Sequence, residues 1–175
     1  MRIFGLAGWS GSGKTTLLTA VIPDLVARGL TVSTIKHAHH EFDIDRPGKD
    51  SWRHREAGAG EVMVASARRW AIMHELRGAP ELTLDELVAR MSPVDLLLVE
   101  GWKHHPHPKL EVHRPSLGKP LLYPDDPHVV AIATDEAFPA PVPLLPLGDP
   151  AAVARFIVDH LGLEPDHRGS RSWRS

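Results

Sequence analysis

Apolar and polar positions along the chain follow two periods, and each change of period marks an element. The run Arg2-Ile-Phe-Gly-Leu-Ala7 is short, apolar and closed by Gly8, which reads as a buried strand entering a glycine-rich turn. Leu17, Leu18, Val21, Ile22 and Leu25 then recur at i, i+1, i+4, i+5 and i+8, predicting a helix over 14–28 with one face on a sheet. Pro23 lies in that stripe and predicts a kink, since it has no N–H and its ring crowds the carbonyl of Thr19; Gly29 predicts a left-handed cap. A second strand is expected over 30–35, rich in β-branched residues. Residues 37–49 show neither period and read as a long loop of the kind that carries function.

A short helix is expected from Asp50 or Ser51 through Ala57, then brief strands at 61–65 and 71–74 around Arg68 and Arg69. Thr83 and Glu86 form a capping-box pattern ahead of a helix over 84–91, because the hydroxyl and the carboxylate can satisfy each other's orphan amides. Residues 95–99 form the strongest buried strand, with further strands at 110–113 and 129–133. Asp149 followed by Pro150 is an N-cap with proline at the first helical position, and Val153, Phe156, Ile157 and Leu161 line one face before Gly162. Residues 164–175 hold Arg168, Arg171 and Arg174 with almost no apolar content and are expected to be a disordered tail, leaving one domain over 1–163.

Composition narrows the chemistry. With 42% hydrophobic and 24% charged residues among 175, the chain is a folded globular protein. A formal net charge of -2 provides no global attraction for nucleic acid or anionic lipid. No apolar run approaches the roughly 18 residues of a membrane span, and the first eight residues are too short for a signal peptide, so the expected location is cytoplasmic. The absence of cysteine excludes disulfides, thiolate zinc sites, iron–sulfur clusters and a cysteine nucleophile. Histidine is the anomaly: 12 residues, grouped as His37, His39 and His40 and as His104, His105, His107 and His113. The spacing of a helical metal pair is absent, so these groups read as polar surface rather than a ligand cage.

Between the first strand and helix stands Gly8-Trp-Ser-Gly-Ser-Gly13-Lys14-Thr15, which fits G-x-x-x-x-G-K-[ST]. From this chain's own glycine, lysine and hydroxyl-residue content, a chance match is expected in only roughly 0.4% of such sequences. The glycines let the backbone N–H groups of Gly8, Ser10, Gly11, Ser12, Gly13, Lys14, Thr15 and Thr16 turn around a polyphosphate. The helix amino end adds partial positive charge, Lys14 reaches the outer phosphates, and Thr15 can ligate Mg2+. Such a loop works with an acidic residue at the end of a neighbouring buried strand. In Asp95-Leu-Leu-Leu-Val-Glu100, the carboxyl end of the strand faces the ligand crevice, which favours Glu100 over Asp95 as the metal-side carboxylate.

Three blocks together resemble the molybdopterin-guanine dinucleotide biosynthesis protein B (MobB) family: residues 8–17; Lys36-His-Ala-His-His-Glu-Phe-Asp-Ile-Asp-Arg-Pro-Gly-Lys-Asp-Ser51 continuing to Ala59; and Val99-Glu-Gly-Trp-Lys103. Trp102 stands where that pattern has phenylalanine, and the tail matches nothing in it. The resemblance implies an α/β chain with the P-loop NTPase fold, a mostly parallel central sheet flanked by helices. It implies a GTP-binding accessory protein, with Mg2+, that assists a guanylyltransferase in attaching GMP to molybdopterin, has weak GTPase activity, and forms a homodimer. Molybdopterin itself is a further candidate ligand.

Asp43 and Asp45, in the loop after the second strand, are candidates beside Lys14 for catalysis, through Mg2+ or by orienting water; the alternative is ordinary loop aspartates. An Asn-Lys-x-Asp element is absent, so guanine preference rests on the resemblance. Asp135 can accept hydrogen bonds from guanine or simply occupy a turn, and both readings stay open. Lys36, Lys49, Arg53, Arg55 and Lys103 are candidates for a basic rim or for solvated charge. A small-molecule kinase and a metallochaperone GTPase remain the alternatives of a different class.

Overall fold

The computed structural model describes residues 1–38 and 42–164. His39 and His40 of the first histidine group, and the tail from residue 165 onward, lie outside the described residues. Two compact units emerge, one of Met1–His37 with Ser92–Ser175 and one of Ala38–Met91. In chain order the elements are β1 (Arg2–Ala7), α1 (Lys14–Ala27), β2 (Val32–Lys36), α2 (Asp50–Glu56), β3 (Glu61–Ala65), β4 (Trp70–His74), α3 (Leu84–Val88), β5 (Leu96–Glu100), β6 (Lys109–His113), β7 (Val129–Thr134), β8 (Leu144–Pro146) and α4 (Pro150–Leu161).

The first unit is built on a six-stranded sheet in the order β2-β5-β1-β6-β7-β8, with every neighbouring pair parallel. Parallel sheets need cover on both faces, and β5 shows why this chain makes one: all five of its residues, Leu-Leu-Leu-Val-Glu, are buried. Leu17, Leu18, Val21 and Leu25 of α1 are buried as the stripe predicts, in one core with Val153, Ala154 and Ile157 of α4. The helix continues through Pro23, and Gly29 follows it with φ 86°, the left-handed conformation that glycine adopts without a Cβ penalty. Asp149 caps α4 by accepting from the Ala152 N–H at 2.9 Å. Strand β8 was not predicted. It is a three-residue edge strand ending in Pro146, and an edge is where a residue without an N–H does least harm.

Strand β6, expected over 110–113, begins one residue earlier, at Lys109. Its pattern Lys-Leu-Glu-Val-His looks half-solvated, yet Lys109, Glu111 and His113 are buried along with Leu110 and Val112. Lys109 and Glu111 are accommodated chiefly by loop backbone. Lys109 Nζ donates to the carbonyls of Lys103 (2.8 Å) and His105 (2.9 Å) and pairs with Asp126 at 2.7 Å, using all three of its protons. The Glu111 carboxylate accepts from the N–H groups of Leu122 (2.8 Å) and Tyr123 (3.0 Å); burial pushes its pKa up, and those two donors oppose the rise.

His107 is likewise buried rather than on the surface as the histidine grouping suggested. Its ring lies against Gly5, where a Cβ would come within 2.3 Å of Nε2, so the ring and the bare backbone of β1 require each other. Burial, with Lys109 and His105 nearby, pushes its pKa down from 6.5 to about 4. A histidine that folds neutral and unfolds to a normal pKa contributes stability above pH 6.5, and that contribution is lost progressively as the pH falls towards 4. The loss is at most about 3 kcal/mol. Urea unfolding at pH 7 and pH 4.5 should show a stability difference that shrinks in His107→Asn, and an unchanged difference would refute the assignment.

In the second unit β3 and β4 form an antiparallel hairpin, and Thr83 and Glu86 make the predicted capping box at α3. The helix ends at Val88 rather than at 91 because its hydrogen bonds tighten: Arg90 and Met91 donate to Leu87 and Val88, three residues back. The hairpin exposes Met63, Val64, Trp70 and Ile72, and Phe42 and Ile44 of the preceding loop are exposed as well.

Candidate functional site

The loop between β1 and α1 stands at the carboxyl end of the sheet, where β1 is flanked by β5 on one side and β6 on the other. The chain reaches β2 and β5 on one flank of β1 and β6, β7 and β8 on the other, so the loop marks the topological switch of the sheet. Gly8 and Gly13 are needed there for different reasons. A Cβ on Gly8 would meet the Val112 carbonyl oxygen at 2.5 Å, and its φ is 146°; Gly13 has φ 97° and leads directly into the helix. Ser12 is buried, and its hydroxyl is without a hydrogen-bond partner.

Lys14 Nζ donates to the carbonyls of Gly8 and Trp9, each at 3.0 Å, so its ammonium is folded back over the loop that precedes it. Burial pushes its pKa down, the Glu100 carboxylate partly restores it, and Lys103 and Lys36 lower it further. On the next helical residue, Thr15 Oγ1 lies 3.0 and 3.2 Å from the two Glu100 oxygens. Glu100 is the last residue of β5, in register with Leu6 of β1 and Lys36 of β2, and the Lys36 ammonium lies 3.8 Å from it. A hydroxyl beside a buried carboxylate is a hard-oxygen donor set suited to Mg2+. Asp95 is at the opposite end of β5, where Oδ2 accepts from the Thr31 N–H (2.8 Å) and hydroxyl (2.6 Å).

Two further groups border the loop. The Trp9 indole donates to the Pro120 carbonyl at 2.7 Å, and Lys103 lies over its ring, 4.4 Å from the centroid, with Lys119 at 5.8 Å. On the β6 side Arg114 Nε donates to the Ser12 carbonyl at 3.2 Å while Nη1 pairs with Asp135 at 2.6 Å. Arg114 is absent from the sequence-derived candidates. Its signal was positional only: it follows β6 directly, and β6 adjoins the loop strand only once the strand order is known.

Asp43 and Asp45 belong to the second unit, and there Arg55 gathers them. Arg55 Nη2 pairs with Asp43 at 2.7 Å, Nη1 with Glu75 at 2.8 Å, and Nε lies 3.5 Å from Asp45. Asp43 also accepts from the Asp45 N–H; that bond first and Arg55 second hold its carboxyl below the usual range. Asp45 accepts in addition from the Ser51 hydroxyl at 2.8 Å. Arg55 is therefore a structural cation rather than part of a basic rim. With Asp43, Phe42, Ile44 and Ile72 it lines a groove of about 900 Å³ within that unit. Among the described residues no group of three or more His, Asp or Glu is arranged to hold a metal ion, and no helix is long and apolar enough to cross a membrane.

The profile of the family described as molybdopterin guanine dinucleotide synthesis protein B matches residues 3–135. The chain belongs to the MobB family. The molybdopterin-guanine dinucleotide biosynthesis adapter protein of Escherichia coli (strain K12) is 45% identical over 160 residues, covering 90% of this chain and 91% of that protein. The adapter protein of the same description from Haemophilus influenzae is 44% identical over 161 residues, covering 91% and 89%. A crystal structure of molybdopterin-guanine biosynthesis protein B superimposes with TM-score 0.70 at 27% identity, over 91% of this chain and 99% of that one. Bacillus subtilis MobB, at 23% identity and TM-score 0.71 over 92% and 98%, shares the fold. The expected architecture, a P-loop NTPase fold with its parallel sheet flanked by helices, is thus the one observed.

Proposed function

We propose that this chain is a GTP-binding adapter of molybdenum cofactor biosynthesis. In this reading it assists a guanylyltransferase in attaching GMP to molybdopterin, has only weak GTPase activity of its own, and acts in the cytoplasm. The biosynthetic role is supported by the adapter proteins to which the chain is 44–45% identical over most of its length. The nucleotide reading is carried by one observation: the Thr15 hydroxyl and the Glu100 carboxylate meet at the mouth of a glycine loop over which Lys14 is already folded.

In this reading the backbone N–H groups from Gly8 through Thr16 surround the phosphates, with those of Ser10, Gly11, Ser12 and Gly13 at the centre of the turn. Lys14 exchanges its two carbonyl acceptors for outer phosphate oxygens. Thr15 and Glu100 would hold Mg2+, which supplies charge neutralisation to those oxygens when bound. Asp43 and Asp45 are the carboxylates this reading assigns to orienting the hydrolytic water, and both are paired with Arg55. The exposed apolar residues Met63, Trp70 and Ile72, on one face of the hairpin, support a homodimer, since solvated patches of this kind are characteristic of contact surfaces.

Equilibrium binding of GTP and ATP, each with and without Mg2+, tests the reading. GTP uptake should require Mg2+ and be tighter than that of ATP. A sample that takes up no triphosphate in the presence of Mg2+ would overturn it.

A further inference from the structure

The groups already placed at the phosphate loop leave unexplained what would separate a triphosphate from the diphosphate that remains after hydrolysis. Lys14 indicates which end of the loop receives the outer phosphates. Its ammonium, the group that meets those phosphates in loops of this sequence, points at the Gly8 and Trp9 carbonyls. The outermost phosphate therefore belongs at the Trp9 end, and the inner ones toward the start of α1. Trp9 is held there as a platform. Its indole N–H donates to the Pro120 carbonyl at 2.7 Å, and the Lys103 ammonium stands 4.4 Å from the ring centroid, with Lys119 farther off at 5.8 Å. The Lys103 backbone is fixed on both sides: its N–H donates to the Gly101 carbonyl at 3.0 Å, and its own carbonyl accepts from buried Lys109 at 2.8 Å. The side chain alone is left to move.

The charges nearby set this lysine apart. Lys36 lies 3.8 Å from Glu100, whereas among the described residues no carboxylate pairs with Lys103. Glu100 favours the charge on Lys14 while Lys103 and Lys36 oppose it, so cations outnumber the carboxylate around that ammonium. An excess of this kind is relieved by a polyanion. An aromatic face holds a cation only weakly and satisfies none of its N–H donors with an oxygen, whereas a terminal phosphate offers charged oxygens to all of them. We infer that Lys103 reads the terminal phosphate: from its seat over Trp9 it donates to the outermost phosphoryl oxygens of a bound triphosphate, and it has no such acceptor in a diphosphate. The inference rests on the nucleotide reading above and deepens it by naming the residue that separates the two states of the nucleotide.

Affinities for GTP and GDP, each with Mg2+, should be measured for the wild type, Lys103→Met, Lys103→Arg and Lys119→Ala. Wild-type protein should bind GTP more tightly than GDP by a factor on the order of 10 to 100. Lys103→Met should lose that factor for GTP and change GDP affinity by less than about threefold, so that the two nucleotides bind alike. Lys103→Arg keeps a cation over the ring and should retain most of the preference, and Lys119→Ala should retain all of it. A wild type that binds GDP as tightly as GTP would overturn the inference while leaving the phosphate loop intact, and that comparison needs no variant. Equal losses for GTP and GDP in Lys103→Met would also overturn it, since a general basic rim or a folding defect produces that pattern, as would an undiminished preference in that variant. Failure of the wild type to bind either nucleotide would overturn the nucleotide reading and this inference with it.

Discussion

Replacement of Lys14 by alanine is expected to reduce Mg2+–GTP affinity by a factor on the order of 100 or more, the largest effect on binding of any single side chain in the loop. The reason is one of magnitude. Micromolar binding requires about 8 kcal/mol, whereas a helix amino end contributes about 0.3–1 kcal/mol. Charge-assisted hydrogen bonds contribute about 1.5–3 kcal/mol each, and Lys14 has two to transfer, from the Gly8 and Trp9 carbonyls to phosphate oxygens. The ammonium is also partly buried, which limits the screening of its charge by solvent. Calorimetric titration of the variant with GTP and Mg2+ measures the loss directly. A change of less than threefold would show that the amide loop and Thr15 suffice, and would remove Lys14 from its assigned role.

The second large effect concerns the fold. Lys109→Ala should destabilise the protein by about 3–5 kcal/mol, because it removes one partner of a buried ion pair and strands its acceptors. Three groups lose their donor at once: the Lys103 carbonyl, the His105 carbonyl and Asp126. Against a typical total of about 5–15 kcal/mol, such a loss shifts the urea midpoint visibly at pH 7. Lys109→Met, which fills the volume without the charge, should be equally poor, since the carboxylate and the carbonyls remain. A midpoint within experimental error of the wild type for either variant would mean that Lys109 does not hold these loops.

What could be read from the sequence follows a physical division. Elements with a strong pattern were legible: the stripe of α1, the fully buried β5 and the capped start of α4 appear where the pattern places them. So was the placement of the glycine loop and of Glu100, because the glycine spacing of residues 8–13 constrains the backbone locally and Glu100 sits at the end of a strand that could only be buried. Strand β6 was only partly legible. Burial of Lys109 and Glu111 depends on acceptors and donors contributed by residues 103–105 and 122–126, which no local pattern reveals. For the same reason Arg114 escaped notice and Asp135 stayed undecided: their pairing depends on β6 and β7 being neighbours, a matter of strand order. Asp43 and Asp45 could be singled out as carboxylates in a long loop, but not that Arg55, ten or more residues further on, would bind both.

The segment from Gly101 to Pro108 joins Glu100 to the start of β6, and its length alone would allow a flap. Lys109 forbids it. Its ammonium holds two carbonyls of that segment, so swinging the segment outward would strip a buried cation of two of its three acceptors and leave it only Asp126. The residues after Glu100 must then behave as a taut strap, and the indole and lysines beside the loop form a fixed wall rather than a door. A nucleotide bound as proposed would then be admitted by side chains that let go singly, not by wholesale movement of backbone.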